Sequence, residues 1–157
     1  MHRVSLSDLE LTYDPTDPDG FRSAMRRVGP EVGARRTGMS VYEVPPGQAV
    51  CPYHYEYGEE EWMLVIEGRA SVRTPEGTEE VGPSEAVFFP TGPAGAHQVR
   101  NATDSTVRVL VWSNVVHPTA TAYPDSDKVG VYTGDEAEDV VVPRSSGVDY
   151  FHGEAGS

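Results

Sequence analysis

Two stretches of the chain place imidazole and carboxylate side chains at spacings that suit a metal site. His54 and Glu56 are two residues apart, so in an extended chain both side chains point to one face. Glu61 follows the break at Gly58 and begins a strand-like run, from which it can return to the same cavity. His97 lies far along the chain, on a run that a barrel could pair with the first. Such ligands suit divalent iron, manganese, nickel or zinc.

Short β-rich runs between glycine and proline breaks must position these side chains. Pro75 and Gly77 suit the turn of an antiparallel hairpin between two of these runs. The chain has no long helical period, which favours an all-β sandwich or small barrel. The predicted strands are Met39–Val44, Glu61–Ile66, Ala70–Arg73, Ala86–Phe89, His97–Arg100, Thr106–Ser113 and Val129–Tyr132.

Length and composition are typical of one globular domain. The chain has 157 residues, of which 38% are hydrophobic and 24% charged. Its apolar runs are too short to span a bilayer, and its first ten residues lack an apolar stretch suited to secretion. We therefore expect a cytoplasmic protein without a membrane partner. The single cysteine, Cys51, excludes an internal disulfide.

Charge excludes another class of partner. The formal net charge of −13 at pH 7 would repel a phosphate backbone, so no nucleic-acid partner is expected. Basic and acidic residues balance over residues 1–38, and the excess of acid lies in the rest of the chain.

The same change in composition predicts three parts. Residues 1–38 should form an N-terminal arm that packs on a barrel of residues 39–132. Residues 133–157 should form an acidic loop followed by a docking C-terminal tail. Since sheet edges need cover and the arm could pair with a neighbouring subunit, we expect a homodimer.

The two metal-site stretches resemble the two sequence motifs of the cupin superfamily. Gly47, His54, Glu61 and Gly68 match the first motif, and Pro90, Gly92, His97 and Asn101 match the second. The resemblance covers roughly residues 45–113 and is to bacterial single-domain cupins. It implies a jelly-roll barrel, also called a double-stranded β-helix, that holds one divalent transition metal.

Three positions depart from the cupin motifs. Ser84 stands at the first glycine position of the second motif, and two extra residues lie between Gly92 and His97. We expect those extra residues to form a tight loop that still delivers His97 to the cavity. Glu56 stands where the first motif has its second histidine, which gives two histidines and two carboxylates.

The resemblance leaves several arrangements open. In one, His54, Glu56, Glu61 and His97 all bind the metal. In another, the two histidines and Glu56 form a facial triad, and Glu61 acts as a base. Glu56 and Glu61 are therefore the candidate catalytic residues. Alternatively, the barrel has lost its metal and kept only the fold.

The expected function is that of a metal-dependent cupin acting on a small organic molecule in the barrel cavity. A non-haem oxygenase is favoured; the alternatives are a redox-neutral isomerase, cyclase or lyase, or a non-catalytic barrel that binds or senses a ligand. Candidate pocket walls are Met39, Tyr42, Met63, Phe88 and Trp112.

Other candidate residues receive structural interpretations. Alternation puts Cys51 on the face opposite His54, where a lone thiol is typically a small buried hydrophobe. It puts Tyr53, Tyr55 and Tyr57 on that face too, as packing residues. The remaining histidines, His2, His117 and His152, are expected at the surface.

Overall fold

The computed structural model describes residues 1–156, whose regular secondary structure consists of short strands and 3-10 turns. The strands are β1 (Thr12–Tyr13), β2 (Ala24–Arg27), β3 (Thr37–Val44), β4 (Tyr55–Glu56), β5 (Glu61–Glu67), β6 (Ala70–Thr74), β7 (Gly77–Val81), β8 (Ala86–Phe89), β9 (Gln98–Arg100), β10 (Val107–Asn114), β11 (Thr119–Tyr123), β12 (Lys128–Tyr132) and β13 (Val140–Pro143). Short 3-10 turns lie at Pro30–Val32, Pro93–Gly95, Pro124–Ser126 and Arg144–Ser146. Over these 156 residues, no helix is long and apolar enough to cross a membrane.

Three antiparallel sheets build the barrel. The largest has the strand order β1-β2-β3-β10-β5-β8, the second has the order β13-β12-β11-β4, and the third is β7-β6-β9. Strand β10 lies between β3 and β5, so segments far apart in sequence are neighbours in the largest sheet. The all-β jelly-roll predicted from the sequence is confirmed, as is the hairpin at Pro75, which joins β6 to β7.

Strand β5 illustrates how side-chain alternation separates the inside of the barrel from the outside. Met63 and Val65 are 0% and 1% exposed and pack in the main core between the largest and smallest sheets. Glu61 shares their parity, so its carboxylate points inward at the end of the strand. Trp62 and Leu64 point to the outer face of the sheet.

The N-terminal segment packs on the outer face of its own largest sheet. Strand β2 pairs with β3, and β1 pairs with β2. Val41 and Leu110 of the sheet contact four apolar side chains of this segment: Val4, Leu6, Leu9 and Leu11. Residues 147–156 are exposed, and Ser157 lies outside the described residues. The boundaries at 38 and 132 stay predictions.

Four of the five candidate pocket walls lie elsewhere, since Met63 is in the main core and Met39, Phe88 and Trp112 are on the outer face of the largest sheet. Met39, Trp112, Trp62 and Phe88 are successive cross-strand partners on the outer face of the largest sheet. Trp62 and Phe88 are each 40% exposed, and the two tryptophan rings stack with centroids 5.8 Å apart. We call this set the outer aromatic row. Side-chain alternation along the strands explains this placement, because all four side chains face away from Met63, which packs in the core.

Candidate metal centre

The two candidate histidines are direct partners across the barrel. The backbone N–H of His54 donates to the carbonyl of His97 at 3.1 Å, and the N–H of His97 donates back at 2.8 Å. This reciprocal pair places the two rings side by side, with centroids 4.6 Å apart. Both residues are buried, with 9% and 5% exposure.

Backbone carbonyls orient both imidazole rings. The Nδ1 atom of His54 lies 3.0 Å from the carbonyl oxygen of Pro52, and Nδ1 of His97 lies 2.9 Å from that of Gly95. Each Nδ1 therefore donates, which leaves Nε2 as the free acceptor on the cavity side. Phe89 stacks on His97 with centroids 3.6 Å apart and so fixes that ring further.

Glu61 completes a group of three. Its Oε2 atom lies 3.7 Å from Nε2 of His54 and 3.5 Å from Nε2 of His97. One ligand atom from each residue falls within 4.8 Å of the other two. Glu61 reaches this position because it is the first inward-facing residue of β5.

The loop before His97 absorbs the two extra residues of the second motif. Gly92 has a φ of 77°, and Pro93–Gly95 forms a 3-10 turn. A side chain at Gly95 would lie 1.6 Å from the carbonyl oxygen of Pro90, so only glycine fits there. The tight loop delivers His97 to the cavity, as expected from the sequence.

Ser84 adopts the backbone conformation that the motif glycine would provide. Its φ is 67°, a left-handed value that is uncommon for a residue with a side chain. Its N–H donates to the carbonyl of Val65 on β5 at 2.9 Å, and the N–H of Glu85 donates to the carbonyl of Gly82 at 3.2 Å, which closes the turn between β7 and β8. The departure at this position therefore leaves the turn intact.

Glu56 faces the same cavity but stands outside the group of three. Its Oε2 atom accepts a hydrogen bond from the Thr121 hydroxyl at 2.7 Å, because β4 pairs with β11 at that position. Its Oε1 atom lies 3.8 Å from Nε2 of His54. The sequence allowed a triad of the two histidines and Glu56. In the structure the two histidines cluster with Glu61 instead.

The four groups differ in their affinity for protons. Burial and the facing His54 ring lower the pKa of His97 to about 4. Burial also disfavours a charged His54, but Cys51 and Glu61 outweigh it and raise the pKa of that ring. Burial raises the pKa of Glu56 to about 7 despite the Thr121 hydrogen bond. For Glu61, the two rings overcome the effect of burial and lower the pKa.

A divalent metal ion fits this donor set. The Oε2 atom of Glu61 is buried and has no hydrogen-bond partner among residues 1–156. Buried carboxylate oxygens are ordinarily paired, and here two imidazole nitrogens face the same point. Two imidazoles and one carboxylate suit Fe, Mn, Ni or Zn. The group of His54, Glu61 and His97 could therefore hold one such ion.

The centre opens into a cavity of about 580 Å³. Tyr42 lines it, as the sequence suggested. Tyr123 also lines it, with its ring centroid 6.2 Å from that of His54. Sequence reasoning missed Thr121 and Tyr123, although the alternation of residues 119–123 was the available signal for a strand.

Two further residues lie closer to the centre than expected. Cys51 lines the cavity, and its Sγ lies 3.5 Å from Nδ1 of His54, because the chain bends before Pro52 and breaks the alternation. His117 is exposed as expected but lies on the cavity rim. The expected packing role fits Tyr53 and Tyr55, which are buried beside Ala96 and Ala122.

Comparison with known proteins places the chain in a family. The family model described as a cupin domain matches residues 40–113. The polyketide cyclase RemF from Streptomyces resistomycificus is 30% identical, with a TM-score of 0.60 over 73% of this chain and 79% of RemF. TT1209 from Thermus thermophilus is 28% identical, with a TM-score of 0.57 over 73% and 97% of the two chains.

A further solved structure is similar in fold over a larger share of the chain. The sugar phosphate isomerase of a cupin superfamily from Silicibacter pomeroyi has a TM-score of 0.80, is 21% identical and is matched over 92% of this chain and 94% of its own. No curated protein matches the chain. From the motif residues, the family model and these structures together, the chain belongs to the cupin superfamily and contains a cupin-2 type domain.

Proposed function

We propose that the protein is a metal-dependent enzyme that moves a proton on a small organic molecule, as an isomerase or cyclase does. His54, Glu61 and His97 hold the metal, and Glu56 is the general acid and base. The carrying observation is the buried, unpaired Oε2 atom of Glu61 beside two imidazoles, with a second carboxylate facing the same cavity. A metal-free barrel that only binds a ligand would not explain why a buried carboxylate oxygen is left unpaired beside two imidazoles.

When bound, a divalent metal supplies Lewis acidity that polarises a carbonyl oxygen of the substrate. Glu56 then acts on a neighbouring carbon: its Oε1 takes a proton from one carbon and returns it to another. Thr121 holds Oε2 by a hydrogen bond, so that Oε1 is the free oxygen. Burial raises the pKa of Glu56 to about 7, which suits a group that both accepts and releases a proton near neutral pH.

The walls of the cavity support this chemistry by excluding water and fixing the ligands. Phe89 covers one face of His97, and Tyr123 lies beside His54. Tyr42 is half-buried at the cavity surface, and this burial raises its pKa to about 12. A small molecule held against these rings leaves little room for bulk water near Glu56.

One relative supports a reaction of this type. RemF is a polyketide cyclase and shares 30% of its residues with this chain over the matched region. The Silicibacter pomeroyi protein is a sugar phosphate isomerase, but at 21% identity its likeness supports the fold alone.

A non-haem oxygenase is the second candidate. The observation that favours it is the ligand set itself, since two histidines and one carboxylate resemble the facial triad that leaves positions open for dioxygen. In that case the metal is iron, and Glu56 lines the pocket without transferring a proton.

Proton exchange separates the two candidates. The metal-loaded protein is incubated in D2O with a panel of uncharged simple ketones, while proton NMR follows the rate of C–H exchange above that without protein and an electrode follows oxygen. We expect C–H signals next to a carbonyl to disappear without oxygen uptake. The exchange should be lost in Glu56→Gln with metal retained. Oxygen uptake that Glu56→Gln leaves unchanged would favour the oxygenase.

We also propose that the enzyme works in the cytoplasm as a homodimer. The N-terminal segment packs on its own subunit, so the surface offered to a second copy is the outer aromatic row. The row carries no charged residue. Two copies, each with a net charge of −13, can therefore meet there without bringing like charges together.

A further inference from the structure

The cavity wall carries a marked excess of negative charge. One guanidinium, that of Arg27, is among the lining groups. Lys128 lies near the ring of Tyr123 but is not among them. The lining carboxylates are Glu56, Glu59, Glu61, Glu136 and Asp139. Even when Glu56 is protonated, the other four carboxylates exceed the three positive charges of one guanidinium and a divalent metal ion.

Hydrogen bonds hold two of these carboxylates in place at the mouth. Asp139 Oδ1 accepts from the N–H of Thr133 at 2.7 Å and so closes the loop between β12 and β13. Gly134 of that loop packs close to His117, which lines the same rim. Glu59 Oε1 accepts from the N–H of Val116, the residue next to His117, at 3.0 Å. The negative charge is therefore built into the wall.

We infer that the substrate of this cavity is uncharged or cationic, and that phosphorylated molecules are rejected. The inference rests on the proposed function, since it names the substrate class of the same site. A phosphate dianion that enters the cavity meets the like charge of Glu59, Glu136 and Asp139, which all line it. At distances of about 6 to 8 Å and ordinary salt, such repulsion weakens binding by roughly tenfold or more.

The aromatic lining favours the same class. Tyr123 and Tyr132 both line the cavity, and their hydroxyls hydrogen-bond to each other at 2.6 Å. Faces of such rings attract organic cations and accept uncharged apolar groups. With carboxylates at the rim, an ammonium group gains from both features.

The test uses three probes that share a benzyl group and differ in charge. Benzylamine, benzyl alcohol and benzyl phosphate are titrated into the zinc-loaded full chain, and dissociation constants come from protein NMR shifts. We expect benzylamine to bind at least about tenfold more tightly than benzyl phosphate, with benzyl alcohol between them. In Glu59→Gln/Glu136→Gln/Asp139→Asn, whose amides keep the hydrogen-bond acceptors, that ratio should fall to about threefold or less.

A matched control removes the same charge away from the cavity. Glu67→Gln/Glu79→Gln/Glu154→Gln changes three exposed carboxylates that do not line it, and should keep the wild-type ratio. Benzyl phosphate binding as tightly as benzylamine, or no binding of benzylamine, overturns the inference. The titration is repeated on the metal-free chain, where the preference should be larger. A chain that binds no zinc but keeps this preference therefore contradicts the proposed function and leaves the charge selection standing.

Discussion

Nε2 of His97 lies 3.5 Å from Oε2 of Glu61, and that buried oxygen has no hydrogen-bond partner among the described residues. The two residues come from separate elements, the end of the Pro93–Gly95 loop and the start of β5. Leaving a carboxylate oxygen unpaired in a buried place costs stability. A cation between these atoms removes that cost, so metal binding should stabilise the fold.

Removal of the metal should lower the melting temperature. A ligand present at 100 times its dissociation constant stabilises the folded state by about 2.7 kcal/mol. For a chain of this size, that corresponds to a melting temperature about 5 to 10 °C higher. Differential scanning calorimetry with zinc and after dialysis against a chelator measures the difference. His97→Ala should melt at the same temperature in both conditions, and a zinc-dependent shift in that variant would argue against the site.

The metal-free Glu56→Gln variant should differ from wild type in a pH-dependent way. The pKa of Glu56 is raised from 4.5 to about 7 in the folded state, so its stabilising effect is complete below pH 4.5 and lost as the pH rises to about 7. At pH 8 the ionised side chain therefore costs the wild type about 3 kcal/mol, a cost that the neutral amide of the variant avoids. The low pKa of His97 affects both proteins equally.

Urea unfolding of the metal-free proteins at pH 5 and pH 8 measures this difference. We expect Glu56→Gln to approach wild-type stability at pH 5 and to exceed it at pH 8. Glu79→Gln removes an exposed carboxylate and should show little change at either pH. An identical difference at both pH values would contradict a raised pKa for Glu56.

Gly95→Ala should damage both the loop and the metal site. The new methyl group would lie 1.6 Å from the carbonyl oxygen of Pro90, so the backbone that orients His97 must move. We expect a loss of about 3 kcal/mol in the free energy of unfolding, together with weaker zinc binding. Gly38→Ala is the control, since its methyl group would make ordinary contacts, 3.4 Å from the Ser113 hydroxyl. Equal stability of the two variants would show that the loop tolerates the clash.

The homodimer should depend on the outer aromatic row. Light scattering of the wild type at micromolar concentration should give twice the chain mass, and Trp62→Glu should give a monomer, because it buries a charge in an apolar contact. Val141→Glu changes an apolar residue on β13 that is slightly more exposed than Trp62 and should remain dimeric. A monomeric wild type would reject the homodimer, and a dimeric Trp62→Glu would place the interface elsewhere.

Much of the centre could be predicted from sequence because motif spacing fixes strand register. Glu61 begins a strand whose alternation points it inward, and His54 and His97 meet as bridge partners. The predicted strands follow the same logic, since turn residues bound each run. Cys51 was placed on the wrong face because alternation assumes an extended chain, and the chain bends before Pro52.

The role of Glu56 depends on contacts that local pattern does not encode. Its partner Thr121 lies on β11, 65 residues further along the chain, and only the sheet order brings the two together. The position of Asp139 at the cavity rim could not be predicted either, because its loop carries no sequence motif. The outward direction of Phe88 and Trp112 was equally hard to predict, since aromatic residues suit both faces of a half-buried strand.

Metal content of the purified protein tests the central claim most directly. Wild type, His54→Ala, His97→Ala, Glu61→Gln and Glu56→Gln are purified without chelators, dialysed together and analysed by plasma mass spectrometry. We expect about one divalent transition metal per chain in wild type and Glu56→Gln, and a loss of about tenfold or more in the other three. Metal in His97→Ala equal to that in wild type, or a wild type without metal, would contradict the proposed centre.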